Sequence, residues 1–203
     1  MFDTETENTE TRQRAVLCGV DTGEFDMERS MRELESLADT AGAEVLAVFV
    51  QKTPRFDPAT CVGSGKLAEI TEFCKNNEVE LIIFNHELTA SQMRNIEDAA
   101  NVYVVDRTML IIDIFAQRAR SAEGRLQAEL ARLRYNLPRL GGMGRALSRQ
   151  GGGIGTRGPG ETKLESDRRH IRRRIETLSR ELSLLARRRG DRRQRRKKVI
   201  SWN

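Results

Sequence analysis

The sequence predicts an α/β protein: a small, mostly parallel, doubly wound sheet with flanking helices, followed by a long antiparallel α-helical hairpin of coiled-coil type. Three observations support this prediction. Short apolar runs alternate with helical patterns up to residue 106. Two later stretches carry leucine and isoleucine at heptad-like spacing. Residues 141–160, between those stretches, contain nine of the sixteen glycines, which indicates a flexible turn.

Four runs of strand length define the predicted sheet, at residues 15–20, 45–50, 81–84 and 102–105. They are almost continuously apolar, which is typical of strands buried on both faces. Helical patterns separate them, at about 31–41, 64–76 and 89–100. Right-handed crossovers through these helices make the sheet parallel, so residues 13–106 are predicted to form one α/β domain.

The second half is predicted to be a helical hairpin over residues 107–198, with a glycine-rich tip loop at 141–162. Asp106 and Thr108 can cap its first helix, and Pro138 ends the first arm. The apolar seams share a/d-type spacing. They are Leu126, Leu130, Leu133 and Leu137 in the first arm, and Leu164, Ile171, Ile175, Leu178, Leu182 and Leu185 in the second. A helix over 163–198 spans about 54 Å at ~1.5 Å per residue.

Charge divides the chain near residue 113. Residues 1–113 carry 10 basic and 22 acidic side chains, whereas residues 114–203 carry 25 basic and 8 acidic ones. Residues 168–198 alone hold 15 basic and 3 acidic groups. This excess of positive charge predicts that the C-terminal half of the chain binds a polyanion. The alternative interpretation is that the charges form a solvated helix face.

Several classes of protein are not supported by the composition. The chain has three cysteines without a C-x-x-C pair and two distant histidines, so we expect neither a disulfide framework nor a metal site. It has no apolar run long enough to span a membrane. The start, including an acidic tail at 1–12 that we expect to be disordered, resembles neither a secretory signal nor a mitochondrial presequence. We therefore expect a cytoplasmic protein, and no residue stands out as catalytic.

Two glycine-rich segments are candidate ligand sites. The turn Gly63, Ser64, Gly65 and Lys66 resembles the end of a phosphate-binding loop, but Thr60 and Leu67 break the full pattern. It is a weak nucleotide-binding candidate, and the alternative is a plain helix start. The segment 149–165 is the stronger signal, since its glycines expose backbone while Arg149, Arg157 and Lys163 supply cations for phosphates or base edges. Its alternative is a disordered hairpin tip.

Five segments together resemble the HflX family of ribosome-associated GTPases, at residues 43–52, 57–66, 106–119, 148–165 and 167–175. The resemblance covers nearly the whole chain. It implies an N-terminal α/β domain and a helical hairpin, followed in the family by a G domain that hydrolyses GTP with Mg²⁺. It also implies that the glycine-rich tip enters large-subunit rRNA near the peptidyl transferase centre, in ribosome splitting or rescue under stress.

The RNA-binding residues that we expect on this basis lie in the tip loop and at the start of the second arm. They are Arg149, Gln150, Gly151, Gly152, Gly153, Gly155, Thr156, Arg157, Gly158, Gly160, Lys163, Arg168, Arg169 and Arg172. The resemblance implies that residues 199–203 are the truncated start of a missing G domain, since the family's G domain begins at this point, and the sequence has no Walker A pattern. We therefore expect this chain alone neither to bind a cofactor nor to hydrolyse GTP. We also expect it to be a monomer whose binding partner is the large ribosomal subunit.

Two other functions stay open at this point. The α/β domain could itself bind or hydrolyse a nucleotide at the ends of its strands, using the turn at 63–66. The helical seams could instead pair with another protein, although that function leaves the glycine-rich loop unexplained.

Overall fold

A computed structural model describes residues 12–140 and 163–200, with the side chains of 12–140 and 164–190. The described residues form two compact units. An α/β unit comprises residues 12–88 and 95–110, and a helical unit comprises 89–94, 111–140 and 163–200.

The α/β unit is built on a four-stranded, all-parallel sheet. Its strands are β1 (Gln13–Asp21), β2 (Ala43–Lys52), β3 (Leu81–Phe84) and β4 (Tyr103–Asp106), in the order β2-β1-β3-β4. The predicted parallel sheet is confirmed. Strand β2 lies on one side of β1, and β3 and β4 lie on the other side. The direction in which strands are added therefore reverses between β1 and β3, and α/β folds commonly bind ligands at such a point.

Helices α1 (Met27–Thr40), α2 (Ser64–Asn76) and α3 (Ala90–Ala100) connect these strands. Alternating side chains of β2 face opposite helices. Phe49 packs edge-on against Phe73 of α2, with ring centroids 5.4 Å apart. Val48 and Val50 instead share a groove with Met27 of α1, so α1 and α2 cover opposite faces of the sheet, as predicted.

The core of the α/β unit lies between the sheet and these helices. Ala15, Val16, Leu17 and Cys18 are completely buried on β1, and Ile82, Ile83 and Phe84 on β3. Cys61 and Cys74 are buried too, and burial raises the pKa of each of these two thiols to about 11. The cysteines therefore stay protonated and act as small core residues.

Gly19 of β1 marks a close approach of α1 to the sheet. A Cβ atom placed there would lie 2.8 Å from Sδ of Met31 and 3.2 Å from Sδ of Met27. The missing side chain lets two methionines of α1 reach the strand.

The remaining helices are α4 (Arg107–Arg118), α5 (Ala122–Asn136) and α6 (Lys163–Ile200), with a short 3₁₀ turn at Leu137–Arg139. Ser121 caps α5 by accepting a hydrogen bond from the Gly124 N–H, and Pro138 lies in the turn where α5 ends. Helix α6 contacts both α5 and the 3₁₀ turn. The long second helix is confirmed, whereas the antiparallel coiled-coil pairing stays a prediction.

None of the helices in the described residues combines the length and apolarity that a bilayer crossing demands.

Candidate nucleic-acid interface

Helix α6 concentrates the positive charge of the helical unit. Its 38 residues carry sixteen Lys and Arg against five Asp and Glu, over a length of about 57 Å at ~1.5 Å per residue. Charge of one sign at this density repels itself, and contact with phosphates relieves the repulsion. Helix α6 is therefore a candidate surface for phosphate binding.

Four arginines align along one face of α6, at positions 169, 173, 180 and 187. Their spacing of four, seven and seven residues keeps them on one stripe at 3.6 residues per turn. All four are exposed, whereas Leu178, about 160° round the helix at ~100° per residue, is completely buried. We call Arg169, Arg173, Arg180 and Arg187 the outer arginine stripe.

Two other arginines of α6 form ion pairs with glutamates of α5. Arg174 donates to both carboxylate oxygens of Glu129, at 2.8 and 3.1 Å, and this contact raises the pKa of Arg174. Arg189 pairs with Glu123 near the other end of α5. Within the outer arginine stripe, Arg180 pairs with Glu176 at 3.7 Å, but both side chains are highly exposed, so the pair leaves the stripe accessible.

The predicted RNA-binding residues fall into two groups. Arg149, Gln150, Gly151, Gly152, Gly153, Gly155, Thr156, Arg157, Gly158 and Gly160 lie outside the described residues. Lys163 is the first residue of α6, and Arg168, Arg169 and Arg172 follow within its first three turns. Arg169 and Arg172 are exposed and Arg168 is half-buried.

Sequence reasoning missed Arg173, Arg180 and Arg187 as individual candidates. Their separation from Arg169 by multiples of a helical repeat was the signal that could have found them. The contribution of these residues to RNA binding stays a prediction, as does that of the tip loop.

The weak nucleotide candidate at 63–66 forms the start of α2. Gly63 is the N-cap, and its N–H donates to Oε1 of Gln51 at 2.8 Å. Nζ of Lys66 donates to the Glu69 carboxylate at 2.6 Å. A phosphate bound at this turn would have to compete with both contacts, so the geometry favours a helix start over an anion site.

A polar network lies where the strand order reverses, at the carboxyl ends of β1 and β3. Arg107 donates to Oδ1 of Asn85 at 3.1 Å, to the Ser30 hydroxyl at 3.2 Å and to the Glu33 carboxylate at 3.1 Å. The hydrogen bond from Arg107 lowers the pKa of Glu33, and Arg29 adds to this effect. The network joins α1 and α4 to Asn85, the residue that follows β3. Because the guanidinium already has three acceptors, an incoming anion would have to displace Glu33.

His86 lies beside this network among aromatic rings. Its Nε2 accepts a hydrogen bond from the Val20 N–H at 2.9 Å, and its ring centroid lies 4.8 Å from that of Phe56 and 6.1 Å from that of Phe25. Burial lowers the pKa of His86. The accepted hydrogen bond requires an unprotonated Nε2, so the neutral imidazole makes this contact.

Among the described residues, no group of three or more His, Cys, Asp or Glu is placed to hold a metal ion.

Two protein-family models match the sequence. The family described as GTP-binding GTPase N-terminal matches residues 28–116, and the family described as GTP-binding GTPase Middle Region matches residues 118–196.

Curated relatives with the name GTPase HflX match over most of the chain. The one from Caldanaerobacter subterraneus subsp. tengcongensis is 54% identical over 187 residues, covering 92% of this chain and 44% of the relative. The one from Escherichia coli K12 is 46% identical over 178 residues, covering 88% and 42%. The chain thus spans less than half the length of these relatives.

Two solved structures share the fold. One is the crystal structure of SsGBP with GDP, with a TM-score of 0.63 and 25% identity over 88% of this chain and 46% of that one. The other is a GTP-binding protein from Sulfolobus solfataricus with GDP, with a TM-score of 0.60 and 23% identity over 86% and 46%.

Proposed function

The chain belongs to the HflX family of GTPases, and on that premise we propose that it binds RNA of the large ribosomal subunit through α6 and the glycine-rich segment 141–162. In this proposal the outer arginine stripe of α6 contacts rRNA phosphates, and the glycine-rich segment 141–162, the tip segment, reaches toward the peptidyl transferase centre. The biological role is ribosome splitting or rescue under stress. GTP and Mg²⁺ act in the part of the family's proteins that lies beyond the matched residues.

The observation that carries this proposal is the outer arginine stripe. Exposed arginines on one face of a long helix give an extended array of guanidinium forks, and the spacing of this array is fixed by the helix. Phosphate oxygens accept two hydrogen bonds from one guanidinium, so each arginine can position a phosphate without reading the base. Leu178 on the opposite side of α6 is completely buried, so the four exposed arginines point away from the apolar packing of the helix.

The contacts between α5 and α6 support the same function. A helix that presents a fixed array of arginines must be held in one orientation on its neighbour. The bidentate pair between Arg174 of α6 and Glu129 of α5 helps to fix that orientation. The two glutamates of α5 that pair with α6 are matched to arginines outside the outer arginine stripe. The carboxylates of Glu123 and Glu129 therefore pair with other arginines, and the outer arginine stripe stays exposed to solvent.

The test is co-sedimentation of the 203-residue chain with purified large ribosomal subunits through a sucrose gradient. The test variant replaces Arg169, Arg173 and Arg187 with alanine, which keeps helix propensity high. The control variant replaces Arg29, Arg55 and Arg94 with alanine, since these are also exposed but lie outside α6. Both variants lose three positive charges, so a difference in binding between them does not come from net charge.

We expect the stripe variant to bind at least about tenfold more weakly than the parent, and the control variant to change by less than about threefold. A third variant with Arg149, Arg157 and Lys163 replaced by alanine measures the contribution of the tip segment. Absence of binding to the large subunit at moderate salt would overturn the proposal. Equal loss in the stripe and control variants would show that net charge alone is responsible, which also contradicts it.

A further inference from the structure

Strand β2 is an edge strand of the sheet. It has ten residues, and only β1 pairs with it among the described strands. Every second residue of an edge strand directs its N–H and C=O outward, where another extended chain can accept and donate the same hydrogen bonds. Val48 and Val50 are 47% and 39% exposed, so the strand also presents apolar side chains.

A groove of about 410 Å³ lies beside Val48 and Val50 of this strand, on the face that α1 covers. Its apolar lining is Val48 and Val50 of β2 together with Met27 and Met31 of α1. A groove between an edge strand and the adjacent helix is the geometry in which proteins add a strand and hold its alternate side chains. The flexible thioethers of methionine suit a lining that accepts apolar side chains of several shapes.

The charged lining of the groove is mostly acidic. Asp21, Glu28 and Glu35 line it, against one base, Arg32, which already donates to Glu28 at 2.9 Å. The α/β unit as a whole carries nine Lys and Arg against seventeen Asp and Glu in its described residues. The groove and its surroundings thus favour a positively charged occupant.

A second copy of this chain is the obvious alternative occupant, and charge argues against it. Antiparallel pairing of two β2 strands about Val48 would place Glu44 opposite Lys52 of the second copy, which is favourable. It would also place the two α1 helices side by side on the same face of the joined sheet. Each helix would then bring Glu28 and Glu35 toward the same residues of the other, and these like charges repel.

We propose that the edge of β2 and the adjacent α1 groove bind an extended, basic protein segment as a fifth strand of the sheet. Its apolar side chains, at alternate positions, enter between the two methionines and the two valines. Lysine or arginine on the same face of the segment reaches Glu28 and Glu35. This site lies in the α/β unit and does not depend on RNA binding by α6.

A synthetic nine-residue peptide tests the proposal, with the sequence Lys-Thr-Val-Thr-Lys-Thr-Val-Thr-Lys, blocked ends and a fluorescent label. As an extended strand it places lysine and valine on one face and threonine on the other. Two control peptides are used. One replaces each lysine with glutamate, and the other replaces the third and sixth residues with proline, which keeps the charge but removes one N–H from each edge of the peptide and so interrupts strand pairing in either direction.

Fluorescence anisotropy with the 203-residue chain measures binding of each peptide. We expect the lysine peptide to bind at least about tenfold more tightly than either control. Hydrogen exchange then locates the site, since bound peptide should slow exchange of amides within residues 43–52 and leave β3 unchanged. Protection spread over the unit, or absent from β2, would refute strand addition.

Two protein variants with a matched control test the groove. Val48→Lys places a charge in the apolar lining, and Glu35→Lys reverses an acidic one; both residues are exposed, so the fold should tolerate the changes. Glu72→Lys, exposed on α2 across the sheet, makes the same charge change away from the groove.

We expect Val48→Lys and Glu35→Lys to weaken peptide binding by about tenfold and Glu72→Lys to leave it within about twofold. Circular dichroism confirms that each variant is folded. Equal losses for Glu35→Lys and Glu72→Lys would show non-specific attraction and overturn the proposal. So would tight binding of the glutamate or proline peptide, or dimerisation of the free chain that Val48→Lys abolishes.

Discussion

Asp106 connects three parts of the α/β unit from a completely buried position at the end of β4. Its Oδ2 accepts a hydrogen bond from the Leu88 N–H at 3.0 Å, and its Oδ1 accepts one from the Met109 N–H at 2.9 Å. We expect Asp106→Asn to lower the free energy of unfolding by about 2–3 kcal/mol, because an amide nitrogen cannot accept and one buried N–H loses its partner.

Chemical denaturation of the two proteins measures this difference. Asp26→Asn is the control, because Asp26 caps α1 at an exposed position, by accepting from the Arg29 N–H, and asparagine caps equally well. A change of less than about 0.5 kcal/mol is expected there. If both variants lose the same free energy, the buried acceptor is not what distinguishes Asp106.

His86 gives the α/β unit a dependence on pH near neutrality. Burial holds the pKa of folded His86 below its ordinary value, so the unfolded chain takes up the proton first as the pH falls. The contribution of His86 to stability is therefore constant above about pH 7 and decreases as the pH falls below about 6.5, the ordinary pKa of histidine. Asp57 and Glu33, whose pKa values are lowered by their hydrogen bonds, lose their contributions only in more acidic solution.

Thermal unfolding at pH 7.5 and pH 5.5 tests this dependence. We expect the parent chain to lose more melting temperature between these two values than His86→Gln, since glutamine does not titrate and its carbonyl can accept the Val20 N–H. His170→Gln, exposed on α6, is the control and should behave as the parent does. An identical loss in the parent and in His86→Gln would contradict the assignment.

We expect the packing of helix α6 to depend more on the buried side chain of Leu178 than on the charged residues of the helix. Leu178 is completely buried, and Leu184 on the same helix is 52% exposed. Leu178→Ala should lower the free energy of unfolding of the helical unit by about 2–5 kcal/mol, through lost burial and the cavity that remains. Leu184→Ala should cost less than about 1 kcal/mol, because most of the side chain is already in water.

Far-UV circular dichroism during urea titration follows this loss directly, because α6 contributes much of the helix in the chain. Equal midpoints for the two variants would mean that α6 is not held by its apolar face. In that case the pair between Arg174 and Glu129 would be the principal attachment to α5.

Element boundaries show what local sequence can predict. Helix α2 at Ser64–Asn76 and strand β3 at Leu81–Phe84 match the predicted ranges, since glycine precedes the first and the second is wholly apolar. Strands β1 and β2 extend beyond their apolar runs to Gln13 and Lys52, because parallel pairing continues through polar residues at the strand ends.

The candidate site divides in the same way. The outer arginine stripe is periodic within one helix, so sequence alone contains it. The Arg107 network instead joins residues 30, 33, 85 and 107, and sequence spacing cannot predict contacts that the strand order β2-β1-β3-β4 creates. The acidic groove beside β2 was missed for the same reason, since it requires β2 to be an edge.

At the scale of the whole molecule, opposite charges are sorted by unit. The chain has a net charge of only +5, yet α6 alone carries sixteen basic and five acidic residues. A polyanion responds to the local field over about 10 Å in 0.1 M salt, not to the sum over the chain. We therefore expect the protein to bind immobilised heparin well above the salt concentration that its net charge suggests.

Elution from heparin in a salt gradient gives the final prediction. Two triple alanine variants are compared: the stripe variant at Arg169, Arg173 and Arg187, and the control variant at Arg29, Arg55 and Arg94. Each has a formal net charge of +2 in place of +5. The stripe variant should elute at clearly lower salt than the control variant, and each lost phosphate-type contact should lower the slope of log affinity against log salt by about 0.7–0.9. Co-elution of the two variants would mean that heparin binding depends on the net charge of the chain and not on the position of the charges. A separation on heparin without a separation on ribosomal subunits would assign the stripe to polyanions in general and leave the ribosome to be recognised elsewhere on the chain.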